Sequence, residues 1–263
     1  MGGQSLEGRV KGVPWCQSLP VVEVPQRLVP KPVTIVMPFY ENSQFLKQQI
    51  GWWGTAAKSL RGHLNAIIVD DCSPTPAVDV LMRCDFPFPI RLFRIEQDVR
   101  WNWLAARNIG FQHADHGWVL VTDMDHVAPV STLEGLIYGQ HNPKIVYALS
   151  RIEHTGEKLT PHSASFFMTR EMFWRIGGYD ERMSGFYGSD GYFRKRVAAT
   201  APMAILTDRL IRHEYQGDSS TMTYKRKQPE DGRLRALVDG FPKGSKPKVL
   251  SFPYHEVPIM VPA

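Results

Sequence analysis

Asp123-Met124-Asp125-His126 follows directly on the apolar run WVLVT. If extended backbone continues through it, residues two apart point the same way, and Asp123 and Asp125 set two carboxylates side by side at a strand end. Such a pair repels itself unless a cation neutralises it. Hard oxygen ligands suit magnesium or manganese, which share their shell between one or two carboxylates, waters and substrate phosphates. A solvated Asp-x-Asp turn is the competing reading, and the position after an apolar strand favours chemistry. Asp70-Asp71 ends a second apolar run, LNAIIVDD. There one carboxylate can accept hydrogen bonds from a nucleobase or ribose while the other caps the following loop, and two plain turn residues before Ser73-Pro74 fit as well.

Four further residues carry chemistry of the same kind. Tyr40, in Pro38-Phe39-Tyr40-Glu41 after the run VTIVM, is a stacking face for a base or a core aromatic. Arg107, in LAARNIG, neutralises phosphate, braces a carboxylate, or forms a surface salt bridge. Asp190, leading into GYFRKRV, is a helix cap worth about 1 kcal/mol, or a general base if its carboxylate faces a cleft. His213, after ILTDRLIR, is a metal ligand or a surface histidine. Trp101, Trp103, Phe186 and Tyr187 offer sugar-stacking faces, with buried packing the commoner use of such residues.

These residues need elements to hold them, and the chain alternates strand and helix patterns from Val33. VTIVMP, LNAIIVDD, PIRLFRI and WVLVTD read as strands, separated by helices over ENSQFLKQQIGWWGTAAKSLRG, PAVDVLMR and WNWLAARNIGFQHAD. That order predicts βαβ units and an α/β fold with a mostly parallel central sheet flanked by helices. The continuous apolar runs AIIV and WVLV suit strands covered on both faces. Ligands of such sheets bind outside the carboxyl ends of the strands, where the acidic residues stand. Downstream, STLEGLIYGQ, REMFWRIGG and SDGYFRKRVAAT read as helices, and KIVYALS, SASFFMT and PMAILTD as strands. The glycines of REMFWRIGG close a helix. Residues 1–32, interrupted by Pro14, Pro20, Pro25, Pro30 and Pro32, form an extended arm. Residues 33–224 form the main domain, and 225–263 an extension packed on it.

Composition narrows the partners. The 263 residues are 43% hydrophobic and 22% charged, which excludes a disordered chain. Lys and Arg number 31 against 26 Asp and Glu, and the net charge of +5 is too diffuse to imply nucleic acid. Cys16, Cys72 and Cys84 have no metal-ligand or disulfide spacing, which fits a reducing, cytoplasmic location. No signal-peptide pattern and no run of eighteen apolar residues occurs, so membrane contact is expected to be peripheral at most. The glycine patterns of dinucleotide-binding and P-loop enzymes are missing, and no glycine-rich phosphate loop of the nucleotidyltransferase kind follows the first strand.

Together the segments resemble the family 2 glycosyltransferases of GT-A fold. VTIVMPFYEN resembles that family's opening strand and loop, IIVDDCSP its V-D-D-x-S element, and AARNIGFQHADHGWVLVTDMD its A-R-N-x-G helix and D-x-D strand. IGGYDERMSGFYGSDGYFRKRV resembles G-G-[FY]-D-E, then G-x-[ED]-D, then an arginine. The resemblance runs from about Val33 to His213. It implies a metal-dependent transferase that moves a sugar from a nucleotide diphosphate, with a UDP-sugar favoured, to a carbohydrate or other hydroxyl by single-displacement inversion. Pro38, Tyr40 and Glu41 would line the nucleotide, with Asp71 on the base and Asp70 beside it. Asp123 would approach the ribose or a metal-bound water, Asp125 would bind the Mn2+ or Mg2+, and His213 would add a ligand. Arg107 would help neutralise the diphosphate, and Asp190 would deprotonate the acceptor. The chain departs from the pattern at Glu41, Cys72 and Ser189, and the last leaves Asp180 and Glu181 as rivals to Asp190 for the base. A sugar nucleotidyltransferase and an inert glycan- or nucleotide-binding module of the same fold are the alternative functions.

Overall fold

Four apolar segments build the centre of the sheet: β2 (Val33–Phe39), β3 (Leu64–Asp70), β4 (Ile90–Ile95) and β5 (Trp118–Val121). The protein is seen in a computed structural model that describes residues 15–26, 29–56, 58–115, 117–186, 188–212 and 232–259. These four strands run parallel in the order β4-β3-β2-β5. β2 and β3 are buried at nearly every position, because helices cover both faces and no alternation of polar residues is tolerated.

The rest of the sheet is mixed. β9 (Phe166–Thr169) lies antiparallel between β5 and β7 (Val146–Glu153), and β10 (Met203–Arg212) returns parallel to β7. β1 (Val21–Val22) adds to the β10 edge in parallel, and β11 (Tyr254–Val257) adds antiparallel to β4 at the other edge. Two-residue strands β6 (His126–Val127) and β8 (Lys158–Leu159) pair with β10 and β7. The short strands β1, β6, β8 and β11 have no sequence period to announce them, and only tertiary pairing makes them strands.

One face carries α1 (Ser43–Gly54), α2 (Lys58–Arg61), α3 (Ala77–Leu81) and α5 (Val130–Tyr138), around Leu46, Ile50, Trp53 and Leu136. The other carries α4 (Trp103–His113), α6 (Arg170–Ile176) and α7 (Asp190–Thr200), around Leu104, Phe111, Phe173 and Phe193. Each large apolar side chain so buried contributes about 1.5–3 kcal/mol. Asn42 caps α1 by accepting from the Phe45 N–H, and Gly177 ends α6 in the left-handed region at φ 97°. At Gly110 a Cβ would fall 2.2 Å from Val36 Cγ1, so the glycine of A-R-N-x-G lets α4 lie directly on β2. α8 (Arg233–Asp239) precedes β11. No helix among the described residues is long and apolar enough to cross a membrane.

Candidate active site

The parallel order β3-β2-β5 brings three carboxyl ends side by side, so Asp70-Asp71, Tyr40-Glu41 and Asp123-Asp125 arise from neighbouring strands at one edge of the sheet. The loop after β3 is organised by Asp70. Its Oδ1 accepts from the Ser73 N–H at 2.7 Å and its Oδ2 from the Ala77 N–H at 2.8 Å and Arg94 Nη1 at 2.7 Å. Asp70 thus shapes the turn, and Ser73 Oγ in turn accepts from the Glu41 N–H at 3.0 Å. Glu41 and Cys72 both adopt positive φ, 47° and 55°, at the two loop positions where the chain departs from the resembled pattern.

Asp71 behaves differently. It is 4% exposed, and its Oδ1 has no hydrogen-bond partner among the described residues. Burial, with Asp98 and Asp70 close by, holds its carboxyl well above the ordinary range, although Asn102 pulls the other way. The Tyr40 hydroxyl donates to Asp98 at 3.4 Å, and burial together with Asp98, Glu41 and Asp71 pushes its pKa up to about 12. Asp98 follows β4 in a segment with no recognisable motif, so residue patterns did not reveal it.

The D-x-D segment is a turn, not the end of an extended strand: β5 stops at Val121, and the His126 N–H closes back on Asp123 O at 3.1 Å. The two carboxylates consequently take different partners. Asp123 meets Arg107 Nη2 through Oδ1, and His162 Nε2 lies 3.6 Å from Oδ2. Asp125 Oδ1 takes His126 Nδ1 at 2.7 Å. Gln49 of α1 pins the turn by donating to Met124 O at 2.9 Å and His126 O at 2.6 Å. Both carboxylates retain about a third of their surface in solvent, 37% for Asp123 and 32% for Asp125.

Arg107 is fully buried, lies against the Trp103 ring and reaches Tyr179 Oη at 3.4 Å. Burial depresses its pKa, but Asp123 and Tyr179 more than offset this and it ends above its ordinary value. Arg107 is therefore a carboxylate brace, and Trp103 is its platform. His162 hydrogen-bonds Ser165 Oγ at 2.9 Å and lies tilted against the His126 ring, and burial draws its pKa down to about 4, so it is neutral at pH 7. His162, like Gln49, comes from a segment far away in sequence, with nothing local to mark it.

Asn108, next to Arg107, ties α4 to the second half of the site. Its Oδ1 accepts from the Tyr179 N–H at 2.8 Å, and its Nδ2 donates to Tyr179 O and Glu181 Oε1, both at 2.8 Å. Gly178, at φ 66°, passes so near that a Cβ would lie 2.9 Å from Asn108 Oδ1. Glu181 also accepts from the Leu250 N–H at 2.7 Å, and from the Ser251 N–H and Oγ at 2.6 Å each. Asp180 pairs with Arg182 through Nε at 2.9 Å and Nη2 at 2.6 Å. Both acids of G-G-Y-D-E thus have protein partners, Glu181 on the C-terminal segment and Asp180 on Arg182 and the Lys248 N–H at 3.2 Å. Asp190, the first residue of α7, holds Arg194 Nη1 at 2.5 Å, and that guanidinium also reaches Ser163 O at 3.2 Å.

Among the described residues no group of three His, Cys, Asp or Glu side chains is arranged to hold a metal ion. His213 lies outside the described residues, as does Tyr187. Two partly exposed carboxylates are a hard-oxygen donor set suited to a cation whose shell is completed by a diphosphate.

The family model described as "Glycosyl transferase family 2" matches residues 34–205. The chain belongs to this family. Its fold is that of the GT-A glycosyltransferases, as solved structures show. TarS 1–349 from S. aureus, in complex with UDP-GlcNAc, superposes with TM-score 0.57 at 14% identity, over 71% of this chain and 60% of its own. The mannosyltransferase PcManGT from Pyrobaculum calidifontis, in complex with GDP-Man and Mn2+, gives 0.58 at 15% identity, over 77% and 62%. GalNAc-T7 with UDP, GalNAc and Mn2+ gives 0.53 at 17% identity, over 72% and 46%. This family 2 chain therefore spans under two thirds of each structure's length, and at these identities the likeness is one of fold. A comparison with curated proteins gives no significant match.

Proposed function

We propose that this family 2 glycosyltransferase transfers a sugar from a nucleoside diphosphate donor to an acceptor hydroxyl with inversion. The observation that carries the reading is the contrast between Asp71 and its neighbours: a buried carboxylate with an unpartnered oxygen, at the loop edge of the sheet, beside the turn that exposes Asp123 and Asp125. Asp71 Oδ1 accepts from a ring N–H of the base, with Pro38, Tyr40 and Glu41 along the nucleoside and Asp70 holding the loop around it. Uracil, with its single N3–H, suits one unpartnered acceptor, so a UDP-sugar is the favoured donor.

Asp123 and Asp125, with His213 as a further ligand, hold Mn2+ or Mg2+, which when bound supplies positive charge to the leaving diphosphate. Two of the structural relatives were obtained with Mn2+, which supports this choice. Arg107 fixes the Asp123 carboxylate in its working orientation and adds buried positive charge. Asp190 takes the acceptor proton as the hydroxyl oxygen attacks the anomeric carbon and the bond to the diphosphate breaks. Saturation of Asp180 and Glu181 by protein partners supports Asp190 over those two acids. Residues 33–224 form the catalytic domain in this reading, with 1–32 and 225–263 as flanking segments. Three unpaired cysteines support a cytoplasmic location.

A donor screen with Mn2+, following nucleoside diphosphate release and then its dependence on acceptor, tests the assignment. Asp125→Asn is expected to abolish metal-dependent donor binding, and metal dependence like that of the wild type would sink the cation site. Asp190→Asn is expected to bind donor normally and lose transfer. Survival of transfer with collapse of donor affinity would remove the base role. Release of pyrophosphate from a sugar phosphate and a nucleoside triphosphate would indicate a nucleotidyltransferase instead.

A further inference from the structure

Behind the turn that carries Asp125 stands a side chain for which the proposed chemistry has no use. Arg151 lies on β7 where full burial gives way to partial exposure, just beyond Leu149. Strand register pairs Arg151 with Leu210, Glu153 with Arg212, and Arg212 with His126. Paired residues share a face of the sheet, so His126, Arg212, Glu153 and Arg151 stand together at its loop end.

Arg151 Nη1 lies 3.1 Å from His126 Nε2. A guanidinium only donates, so Nε2 accepts, and the ring proton sits on Nδ1, from which it reaches Asp125 Oδ1. That leaves the edge formed by Nε and Nη2. Elsewhere in the protein this edge grips a carboxylate: Arg91 holds Glu256 with it, and Arg182 holds Asp180. On Arg151 the Nε is buried without a hydrogen-bond partner among the described residues. The nearby Glu153 is committed to Arg212 at 3.1 Å. Burial and the charge of Arg212 together lower the Arg151 pKa despite Asp125 and Glu153. A partly desolvated guanidinium whose Nε has no hydrogen-bond partner among the described residues, next to a second arginine, fits an oxyanion.

We propose that Arg151, flanked by Arg212, forms an oxyanion subsite that takes a phosphate group beside the Asp123–Asp125 turn. The subsite rests on the transferase reading only for the source of that phosphate, which is the donor diphosphate or a phosphate carried by the acceptor. The purified chain with Mn2+ is titrated calorimetrically with UDP, GDP and inorganic pyrophosphate, and inorganic phosphate is then titrated onto the nucleotide-saturated protein. Arg151→Ala is expected to weaken one of these arms about tenfold or more, and Arg151→Lys to recover part of the loss, since lysine restores charge without the fork. Uridine, which has no phosphate, binds the variants as it binds the wild type. Loss in the diphosphate and pyrophosphate arms assigns the donor, and loss only in the phosphate arm assigns the acceptor. Arg212→Ala, which leaves the His126 contact in place, is expected to weaken the same arm and covers the case in which Arg151→Ala disturbs the turn. Arg91→Ala, on β4 towards the opposite edge of the sheet, is the control. Unaltered affinities in both arms for folded Arg151→Ala and Arg212→Ala overturn the subsite. If the wild type binds no nucleotide while pyrophosphate binding still depends on Arg151, the transferase reading falls and the subsite stands.

Discussion

Two pairs of adjacent acids, Asp70-Asp71 and Asp180-Glu181, are alike in sequence and in burial, with all four residues between 1% and 4% exposed. Asp71 alone of the four keeps a side-chain oxygen without a hydrogen-bond partner among the described residues. Glu181 accepts four hydrogen bonds, and Asp180 holds both arms of the Arg182 fork. Burial pushes the Asp180 carboxyl up, but Arg182 and the Lys248 and Arg182 N–H groups outweigh it and hold the pKa below its ordinary value. Asp71 keeps one oxygen without a partner, and burial raises its pKa. Burial alone therefore does not mark a binding carboxylate. What separates a ligand-directed acid from a structural one is whether the fold has already filled its lone pairs.

The largest effect expected from breaking this comparison is at Glu181. Glu181→Ala leaves Asn108 Nδ2, two backbone N–H groups and Ser251 Oγ to find new partners, and should destabilise the protein by about 3–5 kcal/mol. Urea denaturation measures this. A stable variant that fails to bind nucleotide would instead place Glu181 among the ligand-binding acids.

Asp71→Asn should weaken nucleoside diphosphate binding about tenfold or more, while leaving the fold intact. Its stability effect has a definite pH sign. A folded pKa above the unfolded one means that the folded state binds more protons, so the wild type loses stability as pH rises from the ordinary carboxylate range through the raised value. Asp71→Asn should lack that loss. Asp180 has the reverse sign: its depressed folded pKa gives stability that is present above the ordinary carboxylate range and disappears as pH falls through the folded value. Melting temperatures of the wild type, Asp71→Asn and Asp180→Asn across acidic and neutral pH should therefore diverge in opposite directions. Parallel curves would erase the distinction between the pairs.

Ser251→Ala removes one of the four hydrogen bonds to Glu181 and should cost about 1–2 kcal/mol, read from the same denaturation curves, with nucleotide affinity unchanged. A larger loss of affinity than of stability would link the C-terminal segment directly to the ligand.

Much of this arrangement was legible from residue patterns. The apolar runs around Ile67 and Leu120 announced doubly covered parallel strands, and the placement of acids at their carboxyl ends put them together at one edge of the sheet. Patterns failed where pairing decides structure: β9 enters antiparallel, and β6 and β8 have two residues each. They also failed at Asp123 and Asp125. Alternation assumed continued strand, whereas the chain turns at once and sends one carboxylate to Arg107 and the other to His126. Gln49, Asp98, Arg151 and His162 had no local signature, since each owes its place to contacts with residues distant in sequence.

By itself the sequence determined the α/β class, the order of its elements and the chemical types available at the strand ends, because periodicity and turn chemistry are local properties. Only the tertiary structure decided which acids are filled by protein donors and which keep an oxygen without a partner among the described residues. A carboxylate's role depends on the donors brought to it from elsewhere in the chain: among the described residues, four for Glu181, three for Asp70 and none at the buried Oδ1 of Asp71.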